Sequence, residues 1–79
     1  ADLTGADLSR AYFSRLNFSS STLAEANFRG STLEVVNFSR ADLTGADFSR
    51  AHLTGADFTG SNRDRAVFEK TVGYVPPRE

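Results

Sequence analysis

The large apolar side chains of this chain return at every fifth position. The series runs Leu3, Leu8, Phe13, Phe18, Leu23, Phe28, Leu33, Phe38, Leu43, Phe48, Leu53, Phe58, Arg63 and Phe68. It contains all seven phenylalanines and every leucine except Leu16, and only Arg63 breaks it. A period of five suits neither regular element. On an α-helix turning about 100° per residue, successive members would lie about 140° apart and form no stripe. On an unbroken strand, an odd spacing would send them to alternate faces. A backbone that bends once in every five residues keeps them all on one side.

Two places before each centre the residue is small: Ala1, Ala6, Ala11, Ser21, Ala26, Ser31, Ala41, Ala46, Ala51, Ala56, Ser61 and Ala66. Leu16 and Val36 are the apolar exceptions, and they are expected to fill one region of the interior. Positions two apart on an extended segment share a face. The small residue and the centre therefore point inward, and the residue between them points out. In most repeats that outward residue is an aspartate or asparagine, as at Asp2, Asp7, Asn17, Asn27, Asn37, Asp42, Asp47 and Asp57. The two remaining places are often Thr-Gly or Ser-Arg. Glycine permits unusual dihedrals, and serine and threonine bond to nearby backbone, so such pairs suit a corner. Each five predicts a short extended piece and a bend, and tandem copies wind the chain around an apolar axis.

The segments ADLTG, ADLSR, ANFRG, ADFSR and ADFTG give a tandem A(D/N)(L/F)xx pattern that resembles the pentapeptide-repeat family across about residues 1–70. The resemblance implies an all-β fold, a right-handed parallel β-helix of quadrilateral cross-section with four pentapeptides per coil. Residues 1–70 would then form about three and a half coils, and 71–79 a C-terminal cap or tail. It also implies that residues twenty apart stack. At that spacing the centres sort into columns Leu3–Leu23–Leu43–Arg63, Leu8–Phe28–Phe48–Phe68, Phe13–Leu33–Leu53 and Phe18–Phe38–Phe58. Two opposite columns are nearly all phenylalanine, whose rings can stack offset at strand spacing.

A solenoid needs closed ends, because a bare terminal coil exposes apolar side chains and unpaired backbone. At the C-terminal end, Arg63 interrupts the centres, and Val67, Phe68, Val72, Tyr74 and Val75 precede Pro76-Pro77. Phe68, Val72, Tyr74 and Val75 either cap their own helix, the favoured reading, or meet a partner, including a second copy. Ala1 opens in mid-pattern without methionine, so a processed or trimmed chain is expected. The end coils and flat faces are the expected contact surfaces for a protein partner.

Charge and composition narrow the remaining chemistry. The 79 residues carry nine basic and ten acidic side chains, for a formal net charge of −1, which favours neither a basic nucleic-acid binder nor an acidic decoy. There is no cysteine, hence no disulfide, thiolate site or cysteine nucleophile. No apolar run approaches the roughly eighteen residues of a membrane span, and no signal-peptide pattern opens the chain. Phosphate loops, histidine clusters and nucleophile elbows are absent, so neither an enzyme nor a cofactor is expected, and the compartment is left open. The lone histidine, His52, points outward by its repeat position. Asp2 and Asp42 share a column, as do Asp7 and Asp47, but each pair is two coils apart, about 10 Å, too far to share a calcium ion. The best threonine column, Thr4–Ala24–Thr44–Asp64, is too broken for an ice-binding face.

Arg10, Gly30, Arg50 and Lys70 form one corner column with Arg29 beside it, a basic edge for phosphates or an acidic partner. Asp7, Asp47 and Glu69 lie close enough to offset it, so it is expected to be a solvated mixed-charge edge without a small-molecule or nucleic-acid ligand. The sequence thus points to a non-enzymatic structural or protein–protein interaction module. The resemblance supplies an alternative, because some members of that family mimic DNA and bind DNA gyrase. The near-neutral charge, eight arginines and short rod weigh against that alternative.

Replacing Phe38 by Ala is expected to cost about 3–5 kcal/mol, because its coil lies between two others, whereas His52→Ala leaves stability unchanged. Thermal melts that ranked the two the other way would overturn the register.

Overall fold

The computed structural model describes residues 2–77. Ala1 of the small-residue series and the last two residues of the 71–79 tail lie outside that range. The outward residues pair with their equivalents twenty positions on, always in parallel. One ladder runs Asp2–Thr22–Asp42–Asn62, a second Asp7–Asn27–Asp47–Val67, a third Tyr12–Thr32–His52–Val72 and a fourth Asn17–Asn37–Asp57. Four ladders around one axis make a right-handed quadrilateral β-helix. The Cα extents are 27 × 22 × 21 Å, so the rod is barely longer than it is wide.

Backbone bonding explains why each edge is so short. In the repeat Ala26–Gly30, the Asn27 N–H donates to the carbonyl of Ala6 below. The N–H groups of Phe28 and Gly30 donate to the carbonyls of Asp47 and Ser49 above. The Ala26 N–H closes the preceding corner onto the Leu23 carbonyl, and the Arg29 N–H donates to Asn27 Oδ1. All five amides are thereby satisfied, as buried backbone requires.

The corners carry the conformational cost. All fourteen residues that follow a centre by two have positive φ, between 56° and 75°. Only five of these are glycine; Arg10, Arg15, Ser20, Glu25, Val35, Arg40, Arg50, Arg65 and Lys70 adopt the same left-handed conformation. For an L-residue this costs roughly 1–2 kcal/mol each. Two edges are longer than the rest: β1 (Tyr12–Ser14) and β2 (Thr32–Glu34), paired with Phe13 opposite Leu33. They precede Leu16 and Val36, where a bulky inward side chain replaces alanine or serine, and the corners at Arg15 and Val35 keep the left-handed conformation.

Inside, Leu23, Phe28, Leu33, Phe38, Leu43, Phe48, Leu53 and Phe58 are buried. Leu3, Leu8, Phe13, Phe18 and Phe68, in the end coils, are half-buried against them. The phenylalanine columns stack as the spacing predicts, Phe28–Phe48 with ring centroids 4.7 Å apart and Phe38–Phe58 with 5.1 Å. Neighbours from the two columns meet edge to face, Phe38–Phe48 at 5.6 Å and Phe48–Phe58 at 5.8 Å. The buried hydroxyls of Ser31 and Ser61 donate to the carbonyls of Phe28 and Phe58, both at 2.7 Å. One expectation is corrected. Val36 is fully buried, but its column partner Leu16 is 42% exposed, because the first coil is covered from one side only.

Val35 is the least comfortable corner, a β-branched residue at φ 56° whose side chain is largely exposed. Val35→Asn, which tolerates this conformation, is expected to stabilise the protein by about 1 kcal/mol, raising Tm by about 4–8 °C. An unchanged or lower Tm would argue against a left-handed corner at this position.

Candidate functional site

The outward aspartates and asparagines hold the corners. Each accepts the N–H of the residue two places on through Oδ1, as in Asp42–Thr44 at 3.1 Å and Asn37–Ser39 at 2.9 Å. At Asp2, Asp7, Asp42 and Asp47 the hydroxyl of that same residue donates to the same oxygen, at 2.6–2.7 Å. These bonds stabilise the charged carboxylate. The hydroxyl and then the amide of the following threonine or serine hold Asp2, Asp7, Asp42 and Asp57 below the usual carboxylate range. At Asp47 burial is the largest influence and pushes upward, but the Ser49 hydroxyl and amide together with Arg29 outweigh it, so its pKa is also lowered. Among the described residues no group of three histidine, cysteine, aspartate or glutamate side chains is placed to hold a metal ion. His52 is exposed, in the outward row between Thr32 and Val72.

The C-terminal group divides in two. Tyr74 turns inward, its ring stacked on Phe68 at 4.1 Å and edge-on to Phe58 at 5.3 Å. Arg63, in the column of Leu3, Leu23 and Leu43, donates from Nη1 to the Tyr74 hydroxyl at 3.2 Å. Val72 extends the third ladder, its N–H donating to Ala51, yet its side chain is half-exposed, and Val75 is 72% exposed. Sequence reasoning missed Gly73, which stands where the next centre would fall. A Cβ there would lie 2.9 Å from Thr54 Cα, so only glycine lets the chain pass and deliver Tyr74 into the core. The break in the five-residue pattern at Gly73 was the available signal.

The basic corner is not a level edge. Arg10, Arg29 and Arg50 surround a notch of about 410 Å³ together with Ser9, Asn27, Gly30 and Ser49. Gly30 leaves the rung between Arg10 and Arg50 without a side chain. Arg29 Nε lies 3.7 Å from Asp47 Oδ2. Lys70 continues the corner column beyond Arg50 but is not among the lining residues.

Residues 1–68 match the family model described as a pentapeptide repeat region. The chain belongs to the pentapeptide-repeat family. A search of curated protein sequences returns no match. Among solved structures, this pentapeptide-repeat chain is similar to Rfr23 of the cyanobacterium Cyanothece 51142, with TM-score 0.88 and 31% identity over 90% of this chain and 48% of that one. It is also similar to a pentapeptide repeat protein of Nostoc PCC 7120, with TM-score 0.57 and 31% identity over 84% and 59% of the two chains. One from the Arabidopsis thaliana thylakoid lumen gives TM-score 0.54 and 34% identity over 89% and 59%. The chain thus spans about half to three-fifths of the length of these relatives.

The lowered aspartate pKa values fix a direction for acid unfolding. These groups bind protons more weakly when folded than unfolded, so their contribution is present above the unfolded carboxylate pKa of about 4 and is lost as pH falls through the lower folded values. Tm is expected to drop on acidification below about pH 4, and less so in Asp42→Asn/Asp57→Asn, since asparagine keeps the amide acceptor. Identical acid profiles for the two proteins would contradict the corner role.

Proposed function

We propose that this pentapeptide-repeat chain is a non-enzymatic structural and protein–protein interaction module, a rigid β-helical block that joins other proteins through its end coils and flat faces. The observation that carries this reading is the distribution of apolar surface. The middle of the rod is fully packed. Outside it, Val72 and Val75 stand exposed beside the inward Tyr74. Covering such surface is the general driving force of association. The aspartates Asp2, Asp7, Asp42 and Asp47, with their serines and threonines, are engaged in corner bonds. A stacked aromatic core supports the same role, since a scaffold must hold its contact surfaces at fixed separations.

Native mass spectrometry of the protein purified from its source tests this. The expected result is a complex of fixed stoichiometry that is lost in Val72→Glu/Val75→Glu while the Tm of the isolated chain changes little. A chain that stays free at its working concentration, or that inhibits DNA supercoiling by gyrase in a steeply salt-dependent manner, would overturn the reading.

A further inference from the structure

The arginine notch is a cavity that the scaffold role does not use. Its cations come from three successive coils: Arg10 from the first, Arg29 from the second and Arg50 from the third. Arg10 and Arg50 occupy the same corner two rungs apart, about 9.6 Å at strand spacing. The corner between them is Gly30. Gly30 adds no side chain there, and Arg10 Cγ lies 3.6 Å from where its Cβ would stand, so the Arg10 stem runs across this rung. Of the acidic neighbours Asp7, Asp47 and Glu69, only Asp47 makes an ion pair with this edge among the described residues, through Arg29. Asp7 and Asp47 each give Oδ1 to the amide and hydroxyl of the following serine, and only Arg29 reaches Asp47. Among the described residues neither Arg10 nor Arg50 pairs with a carboxylate.

We propose that this notch binds a compact polyanion, a diphosphate group. Planar guanidinium groups donate paired hydrogen bonds to phosphoryl oxygens and keep their charge at every accessible pH. Three of them around one glycine corner match two adjacent phosphoryl groups, with the Asn27 side chain and the serines as neutral polar walls. The volume lies within the usual range of small-ligand sites. No aromatic ring lines the notch, so recognition falls on the anion and a base has nothing to stack on.

The test is an NMR titration with inorganic pyrophosphate at low ionic strength, reading the backbone amides and the arginine Nε–H signals. Saturable shifts are expected at Arg10, Arg29, Gly30 and Arg50. Arg10→Gln and Arg50→Gln should each weaken binding by about tenfold, the loss of one charge-assisted pair. Gly30→Asn is the sharper variant, because asparagine tolerates the left-handed corner and its Cβ would sit 3.6 Å from Arg10 Cγ, an ordinary contact. It fills the notch without altering charge and should weaken binding by a similar factor. Arg40→Gln, on another corner, should leave affinity within about twofold. The amide spectrum of each variant reports that it remains folded. ADP titrated in parallel separates two sources of the group: affinity equal to or below that of pyrophosphate assigns a free inorganic anion, and tighter binding assigns a nucleotide. Shifts that do not saturate, equal losses in Arg40→Gln and Arg50→Gln, or unimpaired binding in Gly30→Asn would overturn the proposal.

Discussion

The chain turns through a left-handed residue at every fifth position, and the rest of the structure follows from that corner. A bend of this kind leaves room for only a short extended edge, so each face carries one outward residue flanked by two inward ones. Because the corner recurs without interruption from Gly5 to Lys70, the inward residues always face the same axis and the coil closes every twenty residues. The corner is also the costly element, since nine of its fourteen occupants have a Cβ. Ladder bonds to the coils on either side and the Asx bonds of the outward aspartates and asparagines offset that cost locally. Corner, ladder and side-chain bond are therefore one cooperative unit, in which loss of any part weakens the other two.

Closure every twenty residues places like beside like in the core. Phenylalanines on two opposite faces stack along the axis and meet edge to face across it, so each buried ring has partners in both directions. Such contacts favour defined separations, which gives the rod rigidity as well as stability. The same geometry explains why interest concentrates at the ends and corners. Interior coils satisfy their own groups. An end coil is covered from one side, and residues on three successive coils line the notch at the Gly30 corner. Membership of the pentapeptide-repeat family accounts for the frame, and on that frame Val72 and Val75 are exposed and Arg10, Gly30 and Arg50 share one corner column.

Much of this was legible in the sequence because its determinants are periodic. The spacing of Leu3 through Phe68 fixes the inward positions, and the separation of the phenylalanine columns at a step of twenty fixes the register. Less legible were features in which one residue's meaning depends on what lies above or below it. Val35 carries no mark of a left-handed residue, and only its place in the series puts it there. Leu16 and Val36 look equivalent along the chain, but one is at the rim and the other inside. Gly73 and Tyr74 exchange the usual order of centre and corner because Thr54 crowds the preceding coil. The arginine column could be read from the sequence; the notch could not, since its lining comes from residues on three successive coils.

The central claim is that residues twenty apart are in contact, and ring-proton NOEs from phenylalanine-labelled protein test it most directly. The account predicts ring contacts Phe28–Phe48, Phe48–Phe68 and Phe38–Phe58, together with backbone contacts between Asn27 and Asp47. Contacts at separations of fifteen or twenty-five residues in their place would contradict a four-cornered coil, and with it the arrangement of every face and corner described above.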